Sequence, residues 1–315
     1  MENNFWQDKK IVVTGGAGFL GQCVVSELLK RGVPKEHIFV PRFREYDLRE
    51  KAAAEEVVTG RDIVIHLAAT AGGIGFNREN PAIAFYDNAA MALHLIDAAR
   101  KSGVKKFVGI GSACEYPKFT AAPFKERDLW AGYPEETNAP YGLAKKMMLV
   151  QSQVYRKQYG FNAIHLLLAN MYGPGDNFDL KSSHVIPALI LKIKSAKERR
   201  ENYIEMWGTG TPTRDFLYVE DAARAVVLAA EKYSSAEPIN IGSGKESSIK
   251  DLVALLCGLL DYRGEIRWDV SKPDGQPRRL LDATRAEDAF GFVAKTDLET
   301  GLKKTVEWYQ VQKNL

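Results

Sequence analysis

The chain has 315 residues, 45% hydrophobic and 26% charged, enough to bury a core in one large or two ordinary domains. Its net charge of +3 is too small to draw it to nucleic acid or a membrane, and the densest basic run, 192–200, is broken by Glu198 and reads as a solvated helix end. No stretch reaches the ~18 apolar residues of a membrane span, and the N-terminus MENNFWQDKK has no signal core.

Cys23, Cys114 and Cys257 form no CxxC pair and no metal-ligand cluster. A cytoplasmic protein with reduced thiols is expected. Cys23 and Cys257 read as core residues, because a free cysteine packs as a small hydrophobe.

Taken in chain order, strand-like runs at 10–14 (KIVVT), 37–41 (HIFVP), 62–68 (DIVIHLA), 105–111 (KKFVGIG) and 162–169 (NAIHLLLA) alternate with stretches of helical spacing. That alternation predicts βαβ units and a Rossmann-like, doubly wound parallel sheet. Beyond about residue 171, turn-rich pieces (YGPGDNF, WGTGTPTRDF, SKPDGQPRR) separate short helices, with no second run of five strands. We expect residues 1–170 to form a nucleotide-binding domain. Residues 171–315 should form a smaller α/β lobe that roofs the carboxyl ends of the strands, with some segments returning to the first domain.

The segment KIVVTGGAGFLGQCVVSELLKRG reads as strand, glycine turn and amphipathic helix. Gly15 permits the tight turn, Gly18 lets backbone approach a pyrophosphate, and Gly21 permits close packing of the helix on its strand. The helix N-terminus, at Phe19 and Leu20, offers amide donors to phosphate. After the second strand come Arg42 and Arg44, with no carboxylate at the tip. Guanidinium groups there suit a 2′-phosphate, hence NADP(H) rather than NAD, while Asp47 is expected to reach toward the adenine.

Two further elements carry chemistry. GSACEYP, at 111–117, puts Ser112 and Cys114 at the end of a strand-like run. PYGLAK, at 140–145, puts Tyr141 and Lys145 on one face of a helix. The ammonium is expected to lower the phenol pKa so that Tyr141 exchanges a proton with a carbonyl oxygen, which Ser112 would also hydrogen-bond.

Glycine turn, strand-end serine and YxxxK in that order resemble the extended short-chain dehydrogenases/reductases. AATAGGIGFNRENP, SACEYPK, EETNAPYGLAK, NMYGPGDNF, SSHVIPALI, WGTGTPTRDFLYVEDAA and SKPDGQPRRLLD narrow the likeness to the GDP-L-fucose synthase family. The resemblance implies an NADPH-dependent enzyme that epimerises a GDP-4-keto-6-deoxy-sugar at C3 and C5 and then reduces the C4 ketone. Ser112, Tyr141 and Lys145 would form the reductase triad, and Cys114 and His184 the epimerisation acid/base pair. Asn170, His184, Trp207, Arg214 and Lys272 would hold the nucleotide-sugar, and helices near 80–103 and 141–159 would form a homodimer.

The chain departs from the family in having Ala113 in place of a second serine and Glu115 in place of an apolar residue. Its first glycine loop lacks the arginine that some bacterial members carry. SAC at 112–114 is also similar to the GDP-mannose 3,5-epimerases, whereas SSHVIPALI favours the synthases. A 4-ketoreductase without epimerisation, an epimerase alone, or an enzyme acting on a GDP-deoxyheptose are the neighbouring alternatives.

Overall fold

The computed structural model of the chain describes residues 5–179, 182–272 and 274–313; the first four residues, where the sequence analysis found no signal core, and Pro273 of the SKPDGQPRRLLD segment lie outside them. In order, the elements are β1 (Ile11–Thr14), α1 (Phe19–Lys30), β2 (Ile38–Phe39), α2 (Lys51–Val58), β3 (Ile63–His66), α3 (Ile74–Glu79), α4 (Pro81–Lys101), β4 (Lys106–Ser112), α5 (Ala139–Tyr159) and β5 (Ala163–Leu168). They continue with β6 (Asn170–Tyr172), α6 (Val185–Glu198), β7 (Tyr203–Trp207), β8 (Thr213–Tyr218), α7 (Val219–Lys232), β9 (Ile239–Ile241), β10 (Glu246–Ser248), α8 (Ile249–Leu259), β11 (Glu265–Asp269), β12 (Arg278–Arg279), α9 (Thr284–Phe290) and α10 (Leu298–Lys313).

β1, β3 and β5 are buried along their whole length. This is why their sequences show continuous apolar runs rather than alternation. They belong to a six-stranded sheet of order β2-β1-β3-β4-β5-β9, parallel at every pairing. Leu95, Ile96 and Met148 of α4 and α5 pack one face, and Val24, Leu28 and Val226 of α1 and α7 pack the other. The fold is therefore a doubly wound, Rossmann-like sheet. From β1 the chain goes outward to β2 and then back past β1 to β3. That reversal opens a crevice at the carboxyl ends of β1 and β3, where ligands bind in such sheets.

A second core gathers Ile186, Ile190, Phe216, Leu252, Leu256 and Val306 among the strands of two small sheets, one in which β8 pairs β6, β10 and β12 and one in which β7 pairs β11. The second half thus carries more strand than its texture implies. β10 and β12 are only three and two residues long, and β7 is exposed at alternate positions, so turn residues dominate the local signal. β2 is likewise shorter than the expected 37–41, because His37 lies in a 3-10 turn. Cys23 and Cys257 sit half-buried at the margins of the two cores, where burial raises both thiol pKa values. Among the described residues no helix is long and apolar enough to cross a membrane.

The turn between β1 and α1 is closely packed. Gly15 has φ +68, and a Cβ at Gly21 would lie 2.1 Å from the Gly15 carbonyl oxygen and 2.5 Å from Gly16 Cα. Gly21 thus seats α1 on the glycine loop itself. Gly21→Ala should push helix and loop apart at a cost of about 1–3 kcal/mol, measured as a lowered urea midpoint. An unchanged midpoint would mean that the loop yields without strain.

Candidate active site

α1 has Gly18 at its N-cap, no side chain capping it and no acidic residue in its first turn. Its first N–H groups, at Phe19 and Leu20, are left for an anion. Across the crevice the Thr14 hydroxyl meets His66 Nδ1 at 2.8 Å, and Ala68 N–H donates to Thr14 Oγ1 at 3.3 Å, tying the ends of β1 and β3 together. Burial, seconded by the Lys145 charge, brings His66 down to about 3, so its ring is neutral.

Arg42 and Arg44 are exposed beyond β2, and neither side chain has a hydrogen-bond or ion-pair partner among the described residues. Asp47 is not free in the same way. Arg49 holds it at 2.6 Å and also reaches Asp87 at 3.3 Å, and the Arg49 hydrogen bond keeps the Asp47 carboxyl below its usual range. An uncapped helix end, a glycine turn that a Cβ would fill and two unpaired guanidinium groups fit a dinucleotide carrying an extra phosphate.

β4 ends at Ser112, and Ala113–Glu115 form a single 3-10 turn. Ser112 Oγ accepts the Cys114 N–H at 3.2 Å, and the Glu115 carboxylate reaches back to accept the Ser112 N–H at 2.8 Å. The reciprocal cap places Ser112 and Cys114 on one short, tied turn. α5 packs against this turn: a Cβ on Gly142 would lie 2.4 Å from the Cys114 carbonyl oxygen. Pro140 pre-sets the first turn of α5.

Tyr141 and Lys145 follow, with the Lys145 ammonium 5.7 Å from the centroid of the Tyr141 ring. Lys145 is 3% exposed. Burial brings it down to about 8, with the Glu115 carboxylate pulling the other way. Tyr141 departs from the sequence expectation. Burial, and then the fields of Cys114 and Glu115, raise its phenol pKa above the ordinary value. Desolvation outweighs the ammonium, and Tyr141 stands as a neutral proton donor.

The smaller lobe supplies the rest. His184 is exposed at the N-cap of α6, yet the protein mass around it still lowers its pKa through desolvation. Its segment is tied to the loop after β3 by Gly73 N–H donating to the Ser182 carbonyl at 3.0 Å. No hydrogen bond joins His184 to Cys114 among the described residues. Arg214, half-buried on β8, donates to the Thr213 and Gln276 carbonyls at 2.7 and 2.8 Å. Burial, then the nearby Arg279, lower its pKa to about 10, so it stays charged. Asn170 is half-buried at the start of β6, Trp207 is 69% exposed at the end of β7, and Lys272 is exposed just past β11.

The sequence reading missed Arg279, whose guanidinium lies 3.6 Å from Cys114 Sγ and is held by Gln276 Oε1 at 3.1 Å. Its neighbour Arg278 turns outward to Glu246 at 2.6 Å. Strand alternation separates the two arginines, a signal available only once β12 is recognised. Also missed was the contact between Glu115 and His165 beneath Ser112.

The model of the NAD dependent epimerase/dehydratase family matches residues 11–242. A GDP-L-fucose synthase of Sinorhizobium fredii is 42% identical over 301 residues, covering 95% of either chain. A GDP-6-OMe-4-keto-L-xylo-heptose reductase from C. jejuni superposes with a TM-score of 0.89 at 28% identity, over 97% of this chain and 99% of that one. A GDP-L-fucose synthetase from Naegleria fowleri bound to NADP gives 0.86 at 28% identity, over 98% and 96%. The chain belongs to the NAD dependent epimerase/dehydratase family and, within it, to the GDP-L-fucose synthase family.

Proposed function

We infer that this chain is an NADPH-dependent epimerase/reductase acting on a GDP-4-keto-6-deoxy-sugar. One observation carries the reading: a strand-end serine and a cysteine share a single turn against which the helix bearing Tyr141 and Lys145 is packed. A reductase needs hydrogen-bond donors at a ketone oxygen, and an epimerase needs proton-transfer groups at the flanking carbons. Ketone activation serves both, because the same donors stabilise the enolate formed when a flanking carbon loses its proton.

In this reading Ser112 and Tyr141 bind the C4 oxygen. Cys114 and His184 remove and return protons at C3 and C5, on opposite faces of the ring. The Arg279 guanidinium gives the Cys114 sulfur a charge-assisted hydrogen bond once that sulfur yields its proton. Tyr141, neutral at the outset, donates its proton to the C4 oxygen in the reductive step, and the Lys145 ammonium balances the charge left behind. NADPH, when bound, supplies a hydride to C4; the glycine turn, Arg42 and Arg44 would hold its phosphates. Arg214, Lys272 and Trp207 would take the diphosphate and base of the GDP-sugar, with Asn170 beside the sugar. The cytoplasm is the location that fits this chemistry.

The back of the molecule supports a dimer. Phe85 and Leu93 of α4, with Leu143, Met147, Val150 and Val154 of α5, line an apolar groove of about 490 Å³ that holds none of the candidate catalytic residues. The two helices are 21 residues each. A second copy laid on the same face would cover the groove as a four-helix bundle. Val150→Asp should give a monomer by analytical ultracentrifugation where the wild type sediments as a dimer; a monomeric wild type refutes the proposal.

Incubation with GDP-4-keto-6-deoxymannose and NADPH tests the activity directly, with NADPH oxidation as the readout. Tyr141→Phe should bind NADPH normally but reduce the ketone at least about a hundredfold more slowly, the contribution of one general acid. A near-normal rate would exclude Tyr141 as the donor.

Cys114→Ser separates epimerisation from reduction. In deuterated water the wild type should place deuterium at both C3 and C5. The variant should incorporate little and still reduce slowly, because a hydroxyl is a far weaker acid than a thiol. Wild-type protein that reduces without incorporating deuterium would instead be a 4-ketoreductase, as the heptose reductase's name describes that relative.

A further inference from the structure

Glu115 is 0% exposed, directly behind Ser112 and Cys114. Besides accepting the Ser112 N–H, its two carboxylate oxygens each lie 3.1 Å from Nε2 of His165 on β5, itself 1% exposed. A carboxylate offers only lone pairs, so the hydrogen in this contact belongs to His165 Nε2. A Cβ on Gly111 would come 2.3 Å from both Glu115 Oε1 and His165 Nε2. Positions 111, 115 and 165 are thus shaped around one another.

Burying a carboxylate is costly unless it is hydrogen-bonded and charge-balanced. Closing a strand-end turn does not require one, since Ser112 Oγ already accepts the Cys114 N–H. What lies around this carboxylate gives it a purpose. Lys145, Lys146 and Tyr141 come from α5, Cys114 from its own turn and His165 from β5, while His66 of β3 faces Lys145. Lys146 has its own partner in the Leu129 carbonyl at 2.6 Å. Among the described residues Lys145 has no direct hydrogen bond or ion pair; a Cβ on Gly142, between Tyr141 and Lys145 on α5, would lie 3.5 Å from Glu115 Cα, so the turn that bears the carboxylate packs on the helix that bears the ammonium, and Glu115 is the negative charge acting on it.

We propose that Glu115, anchored by His165, is a positioning residue of this site: it fixes the Ser112–Cys114 turn and provides the buried negative charge that balances the Lys145 ammonium. The inference rests on the functional reading above and deepens it. Glu115→Gln keeps an acceptor for the Ser112 N–H but removes the charge. Lys145 would then lose its proton at lower pH, and Tyr141, relieved of the carboxylate's repulsion, would also ionise at lower pH. Both changes move the alkaline limb of the rate profile in the same direction.

The experiment is a pH series of kcat for NADPH oxidation with GDP-4-keto-6-deoxymannose in wild type, Glu115→Gln and Glu115→Asp. In Glu115→Gln the alkaline limb should move down by about one pH unit, with kcat about fivefold lower at pH 8 and approaching tenfold lower above it, and KM little changed. Glu115→Asp keeps the charge but shortens the reach, so its kcat should fall while its limb stays in place. An unmoved limb in Glu115→Gln overturns the charge balance, and a wild-type kcat in Glu115→Asp overturns the positioning. If Glu115→Gln does not fold, Glu115→Asp decides alone, a displaced limb counting against the proposal. If wild type does not turn over, the substrate reading has failed. Glu115 is then tested by the pH at which NADPH binding, followed by fluorescence, weakens in variant and wild type: the same pH in both overturns the proposal.

Discussion

The turn that closes β4 is held by its own carboxylate, with α5 resting on its far side. Glu115 accepts the Ser112 N–H, Ser112 accepts the Cys114 N–H, and Gly142 lets the helix sit on the Cys114 carbonyl. Four candidate groups, Ser112, Cys114, Tyr141 and Lys145, derive their relative placement from this contact. The parallel sheet supplies the depth that makes it rigid, because β4 is buried until its last residue and pairs β3 and β5 on both sides. A reaction with two kinds of proton transfer around one ketone gains most from such a frame, since misplacement of a reacting group by about 1 Å can cost two orders of magnitude.

The smaller lobe brings its groups by a different route. β8 runs under β6 and β12, so Arg214 and Arg279 arrive side by side at the register pair Arg279↔Arg214. Like charges this close are held together by carbonyls and an amide oxygen: Arg214 donates to the Thr213 and Gln276 carbonyls, and Arg279 to the Gln276 side chain. Gln276 in turn donates to the Lys118 carbonyl at 2.9 Å, on the segment just beyond the β4 turn. A single glutamine therefore couples the arginine pair of one lobe to the cysteine turn of the other.

Much of this was legible in the sequence, for reasons that differ from residue to residue. β1, β3, β4 and β5 announced themselves because strands covered on both faces are apolar throughout. Tyr141 and Lys145 were legible because i, i+4 spacing on a helix fixes a shared face. Arg279 was not, because its strand is two residues long within a turn-rich stretch. Glu115 and His165 are 50 residues apart, and no local pattern reports a contact created by the pairing of β4 with β5. The sign of the phenol shift was misjudged because sequence shows the neighbouring ammonium but not the desolvation that outweighs it.

Desolvation is also the common term across the site. It holds Tyr141 as a phenol, His66 as a neutral ring at about 3, and Lys145 at about 8. In each case burial favours the uncharged form, and specific charges then set how far the group departs from it. A diphosphate entering near Arg214 and Arg279 would bring negative charge to guanidiniums that now repel one another, and a second phosphate-bearing ligand would do so beside Arg42 and Arg44. Either ligand's phosphates would offset the positive charge of the arginines they meet.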